Sequence, residues 1–263
     1  MNLQTLHSFE DEICKIIPNF RVAFKDESWV QKVLAFLVYP FNPTYMTKFA
    51  STYGSTVYFP SRSYYEGQPY TNFTILAHEL VHIIDAKNHP FWFPISYVFP
   101  QVFALIPLVA YGVVAGSHAW PLAVAVAGLL LGCALARTHQ GLFWAALLLT
   151  AAFASTMAVM CTGWSSVLFF VGFALLAPWP APGRVRWELR GYAANIAVVS
   201  WGVGVAPRFV REMSIRHFLR ADYYFMSWSR ISVERKLDEA VTFALNDASP
   251  YDVIHGFINN HHA

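Results

Sequence analysis

The chain has 263 residues, 56% of them hydrophobic and only 13% charged, with a formal net charge of +2 at pH 7. A soluble domain carries about 25% charged residues, so this composition points toward lipid; the near-neutral balance, with no dense basic stretch, gives no footprint for a nucleic-acid partner. Cys14, Cys133 and Cys161 are odd in number and far apart, which excludes a disulfide framework and a cysteine-type zinc site.

Residues 1–90 mix charged, aromatic and turn residues, as a folded aqueous part does. The opening "MNLQTLHSFEDEICKII" lacks a basic region followed by an apolar run, so no signal peptide is expected. This part is therefore expected to stay on the side of the membrane where it is made. The stretch "YGSTVYFPS" (53–61) reads as a β-strand, with Gly54 near its start and Pro60 at its end. A strand just ahead of an active-site helix offers a sheet edge on which an extended peptide can pair; a plain core or edge strand fits the same pattern.

A helix is predicted over Phe73–Lys87, with Thr71 or Asn72 as its cap and Asn88-His89-Pro90 as its stop. It carries "HELVH", residues 78–82. His78 and His82 are four apart, so their imidazoles share a face and can converge on one metal ion, while Glu79 projects beside that face as a base for an attacking water. Zinc at such a site polarises the scissile carbonyl and makes water a nucleophile near neutral pH. The competing reading is two structural histidines on a half-buried helix.

From Ala86 to Trp187 there is no Asp or Glu, and the only cations are Lys87, Arg137, Arg184 and Arg186. Four apolar runs occupy this stretch, at about 91–115, 119–136, 141–160 and 164–180. A membrane helix needs about 20 apolar residues, so the first three qualify and the fourth is at the short limit. Phe91, Trp92, Phe93, Trp120, Trp144, Trp164 and Trp179 sit near run ends, where aromatic side chains anchor at membrane interfaces.

A catalytic zinc takes about three protein ligands, and four residues compete for the third position. His89 lies seven after His82 without the turn glycine of the metzincin pattern. Asp85 shares the helix and suits an acceptor for an imidazole N–H better than a direct ligand. Glu188, in "RVRWELRGYAANIAVV", is the first acid after Asp85; Glu212 lies among arginines further on. A helix starting near Trp187 would place Glu188, Gly191, Tyr192 and Asn195 on one face. Topology favours Glu188, because a ligand shared with His78 and His82 must follow an even number of spans. With four spans, Lys87, Arg137, Arg184 and Arg186 all fall on the metal side, and the opposite turns at 116–118 and 161–163 carry no cation. By the positive-inside rule, the metal side and both termini are expected to be cytoplasmic.

On these residues the chain resembles the gluzincin-type membrane metallopeptidases, the group of the CAAX prenyl protease and the heat-shock membrane protease. The resemblance covers the two active-site helices and the order of elements. It implies His78, His82 and Glu188 as zinc ligands and Glu79 as general base. Three and four residues past the ligand glutamate, where that group carries Ala-Asp, this chain has Gly191 and Tyr192. The group also has membrane helices ahead of its HExxH, whereas residues 1–90 read as aqueous.

The expected fold is that of a mainly α membrane protein. Its zincin-like α+β catalytic part, with a small sheet, is split between residues 1–90 and 181–263, and a transmembrane insertion occupies 91–180. Tyr192 is a candidate donor to a developing oxyanion, with aromatic packing beside the metal helix as the alternative. Asn195 can hold substrate backbone or make a polar helix contact, and Arg190 can pair with Asp85, with a substrate carboxylate or with lipid headgroups. Residues 193–206 read as a short buried or re-entrant segment. The arginines at 208–220 read as an interfacial amphipathic helix or as one solvated helix face. The implied partners are a peptide or protein substrate and the lipid bilayer. Two rivals stand beside the peptidase reading: a catalytically silent zincin-fold binding module, and a channel-like protein, for which the spans lack the ionisable lining such a role calls for.

Overall fold

The computed structural model describes residues 1–38, 44–99, 103, 106, 167, 171, 181–204, 208–220, 226–227, 229–246 and 249–262. Among them the protein is mainly α-helical with one small mixed sheet of three strands. The apolar runs at 119–136 and 141–160 lie outside the described residues, as do most of those at 91–115 and 164–180. No described helix is long and apolar enough to cross a membrane. The chain divides into two compact units, one of residues 1–94, 185–218 and 229–263, the other of residues 95–184 and 219–228.

The first unit opens with α1 (Leu3–Ile16), whose start is capped by the Asn2 side chain accepting from the Thr5 N–H at 2.9 Å. Its Leu6, Phe9 and Ile13 recur at helical spacing and are fully buried. There follow β1 (Arg21–Phe24), α2 (Trp29–Val38), α3 (Tyr45–Lys48), β2 (Ser51–Tyr53) and β3 (Thr56–Phe59). The sheet order is β1-β3-β2, with β1 parallel and β2 antiparallel to β3. The predicted strand at 53–61 is thus the turn and second arm of a hairpin. Gly54, at φ +61°, makes the tight turn possible. The hairpin also moves the sheet edge: β3 is central, with Thr56, Val57 and Phe59 buried, and β2 is the outer strand on the hairpin side, with β1 at the other edge.

Helix α4 (Arg62–Gly67) leads into α5 (Pro69–Asn88), which carries the HELVH residues. This helix starts four residues earlier than predicted, because Pro69 takes the first position, where a missing N–H costs nothing. Asn72 does not cap it; its buried amide donates to the carbonyls of Tyr64 and Tyr65 at 3.0 and 2.7 Å, closing the end of α4. After α6 (Trp92–Val98), the described chain resumes with α7 (Pro182–Val203), α8 (Arg208–Leu219), α9 (Arg230–Leu245) and α10 (Tyr251–His262).

The core of this unit joins α1 to Val57 and Phe59 of β3, to Phe73, Leu76, Ala77 and Leu80 of α5, and to Tyr251, Ile254 and Phe257 of α10. Phe9 sits between Phe73 and Phe257, with ring centroids 4.4 and 4.9 Å away. Residues 193–203, within the stretch expected as a short buried or re-entrant helix, are helical and largely buried, as the continuation of α7. Ala193, Ala194, Ala197 and Val198 belong to this core, and their small side chains allow a close helix approach. Helix α8 buries Ser214, Ile215 and Phe218. Its Arg211 makes a two-pronged pair with Asp238 of α9 at 2.8 and 2.9 Å, while Phe209 and Met213 of the same helix are exposed. In the second unit the described contacts include Ala181 N–H to the Met226 carbonyl at 3.3 Å and the Arg184 guanidinium over the Tyr97 ring.

Candidate metal centre

One turn of α5 separates His78 from His82, and both imidazoles point to the same spot: their Nε2 atoms are 2.9 Å apart. Helix α7 brings Glu188 to that spot, with Oε2 at 3.6 Å from His78 Nε2 and 4.0 Å from His82 Nε2. All three side chains are buried. Among the described residues these three form a group able to hold a metal ion. A tetrahedral zinc, bonded at about 2.0–2.1 Å, spaces its ligand atoms about 3.4 Å apart. The observed distances bracket that value, and two imidazole nitrogens with one carboxylate oxygen are a donor set suited to zinc.

The remaining contenders fall elsewhere. His89 is exposed at the end of α5, with its ring against Trp187 at 5.5 Å. Glu212 lies at the surface between Arg230 (2.6 Å) and Arg216 (3.2 Å), and those hydrogen bonds hold its carboxyl below the usual range. Asp85 accepts not from an imidazole but from Arg190 Nε, at 2.9 Å. That ion pair locks α5 to α7 within one turn of two of the donors. The Tyr251 hydroxyl of α10 donates to the Arg190 carbonyl at 3.0 Å and ties a third helix to the same place.

The electrostatics favour a cation. Burial alone would lower the His78 pKa, yet hydrogen bonding to Glu188 and the nearby Glu79 and Glu188 charges outweigh burial and raise it. Glu79 itself is raised, chiefly by burial and against the pull of His78, Thr52 and Lys25. A buried carboxylate, Glu188, with the half-buried Glu79 nearby, is stabilised by positive charge beside it.

The close fit of α7 to α5 depends on Gly191. A Cβ at that position would stand 2.5 Å from His78 Nε2 and 2.6 Å from its Cε1. Tyr192 follows with its ring edge-on to His78, centroids 5.1 Å apart, and stacks on His217 of α8 at 5.5 Å. Its ring therefore packs against the His78 imidazole of α5. Asn195 is half-buried one turn further along α7. Phe93 closes the His82 side, 6.0 Å from that imidazole and 5.1 Å from Trp187.

Two residues of the site carry no motif. Thr52 of the outer strand donates its hydroxyl to Glu79 Oε2 at 2.6 Å, which fixes that carboxylate from the sheet side. Lys25, one residue past β1, is fully buried; its ammonium donates to the Tyr45 carbonyl at 2.8 Å and lies 3.6 Å above the Tyr45 ring. Burial pushes its pKa down to about 7, opposed by Glu79. In the sequence, "FKDES" reads as a surface turn, and a lone threonine 27 residues ahead of Glu79 gives no sign that it bonds to it.

No protein-family model, no curated protein and no solved structure matches the chain.

Proposed function

We propose that the protein is a membrane-embedded zinc metallopeptidase that hydrolyses peptide bonds, with His78, His82 and Glu188 as the zinc ligands and Glu79 as general base. The observation that carries this reading is the convergence of three buried donors from two helices far apart in sequence. When bound, zinc supplies the Lewis acid that polarises the scissile carbonyl and renders water nucleophilic near neutral pH.

The chain's own residues supply the rest. Glu79, next to His78 in sequence and held by Thr52, takes the proton from the attacking water and delivers it to the leaving amine. Its raised pKa suits that double role, since a base works best when its pKa lies near the operating pH. The outer strand β2 carries Thr52, so an extended peptide pairing along that edge runs past Glu79. Tyr192, whose ring is edge-on to His78, is the candidate donor to the developing oxyanion. The apolar runs between residues 91 and 180 anchor the enzyme in the bilayer, with the cation-bearing metal side toward the cytoplasm.

The test begins with the metal content of detergent-purified wild type beside Glu188→Ala and Glu212→Ala. One zinc per chain in the wild type and in Glu212→Ala, lost in Glu188→Ala, is the expected result. Zinc retained in Glu188→Ala would remove Glu188 from the ligand set. Turnover of a peptide library then separates an enzyme from a silent binding module. Glu79→Gln should keep its zinc and lose about 10²–10⁴-fold in rate.

A further inference from the structure

Helix α2 has its polarity reversed. Its Gln31 is only 3% exposed and accepts from the Tyr45 hydroxyl at 2.5 Å. The opposite side shows apolar groups: Trp29 is 75% exposed, Val30 45%, Val33 50% and Phe36 81%. Trp29, Val33 and Phe36 fall at positions i, i+4 and i+7, one stripe along a helix. A ten-residue helix that hides its amide and displays a tryptophan and a phenylalanine is built for an apolar surrounding.

We infer that α2 lies in the membrane–water interface, with Trp29, Val30, Val33 and Phe36 immersed at the boundary of headgroups and acyl chains. The inference rests on the membrane reading above. Its occupant is lipid rather than a second copy of the chain for a reason of size. From side chains of about 150–250 Å² each, the stripe offers roughly 500 Å², below the roughly 800 Å² per partner of a stable protein interface. A bilayer sets no such minimum, and a helix with aromatic residues on its apolar side is the kind that lies at an interface. Lys32, the only formal charge in "SWVQKVLAFLV", is exposed beside the stripe, where a long cationic side chain reaches lipid phosphates. The Tyr45 hydroxyl, which bonds Gln31, also lies 3.3 Å from Ser51 Oγ of β2. The immersed helix is thereby tied to the strand that carries Thr52.

The test uses the full chain with Cys14, Cys133 and Cys161 changed to serine, reconstituted in phosphatidylcholine vesicles. Single cysteines from Val33→Cys, Phe36→Cys or, as control, Lys32→Cys carry an environment-sensitive fluorophore. Nitroxide-labelled lipid should quench the probes at 33 and 36 about threefold more than the probe at 32, with aqueous iodide giving the reverse order. Iodide quenching at 33 and 36 equal to that at 32, in chains that still float with the vesicles, overturns the inference and leaves the membrane reading standing. Shielding of 33 and 36 from both quenchers means that protein covers the stripe, which also overturns it. Chains that fail to float, or that alkaline carbonate extracts, defeat the membrane reading and this inference with it.

Discussion

Replacing Gly191 with alanine sets two effects of opposite sign against each other. In a helix, alanine is favoured over glycine by about 0.8–1.0 kcal/mol. Were Gly191 merely tolerated in α7, the variant would be more stable and would bind metal as before. The structure argues otherwise, because the added Cβ would stand 2.5–2.8 Å from three atoms of the His78 ring. Carbon atoms rest at about 3.5–4.0 Å, so the ring or the helix must retreat by about 1 Å. Metal–ligand distances tolerate about 0.2 Å, and overpacking of this kind costs about 1–3 kcal/mol. At about 1.4 kcal/mol per tenfold, zinc affinity should fall by about 10- to 100-fold. Competition with a chromogenic chelator reads the affinity, and thermal unfolding with and without chelator separates lost binding from lost fold. A variant that binds zinc like the wild type and unfolds at a higher temperature would refute the reasoning, and with it the closeness of α7 to His78.

Thr52→Val removes the hydroxyl bonded to Glu79 while leaving the three donors in place. Zinc content should be unchanged, and the acid limb of the pH–rate profile should move up by about one unit, since a hydrogen bond to a charged group is worth about 1.5–3 kcal/mol. Arg190→Leu strips the buried Asp85 of its partner and should destabilise by about 3 kcal/mol at pH 7. An unpaired buried carboxyl has a folded pKa above its unfolded one, so the deficit is full at neutral pH and narrows on acidification; unfolding at pH 5 and pH 7 measures the difference. Lys25→Met acts in the other direction. With its pKa pushed from 10.5 down to about 7, the lysine costs stability in full below pH 7, and that cost disappears as pH rises toward 10.5. After allowance for the Tyr45 carbonyl left without its donor, the methionine variant should be more stable by about 2 kcal/mol at pH 7. Its advantage should shrink at pH 10, which melting curves at the two pH values read directly.

Most of what could be read from the sequence was carried by one element or by the order of charges along the chain. HELVH on a helix follows from spacing, and the pairing of Asp85 with Arg190 was among the options because both are charged residues close to the candidate donors. Glu188 came from a different kind of argument, the sign and placement of charges along an acid-free stretch, and the structure brings its carboxylate beside both imidazoles. Boundaries were misplaced where side chains serve a neighbouring element. Asn72 resembles a cap for α5 but closes α4. "AANIAVV" reads as part of a short buried or re-entrant helix; it is buried, but as part of a longer helix that begins at Pro182 and whose alanines are packing surfaces.

Gly191 and Thr52 show why the rest was not legible. The sequence offered Gly191 only as a departure from the Ala-Asp pair of the resembling group, and its consequence exists only as a distance between two helices. Thr52 has no local pattern at all, because its partner lies across a hairpin and a helix. Both concern where one element stands relative to another, which neither propensity nor periodicity encodes. The candidate site is built from such relations: two of its possible donors share a helix turn, and the third, the glycine that lets it approach and the hydroxyl bonded to Glu79 each arrive on a different turn or strand. A chance HExxH would carry the first two histidines but has no reason to meet a buried carboxylate, a glycine under the imidazole and a threonine on the glutamate together. That conjunction of contacts, more than the motif, is what supports the proposed metal site over two structural histidines.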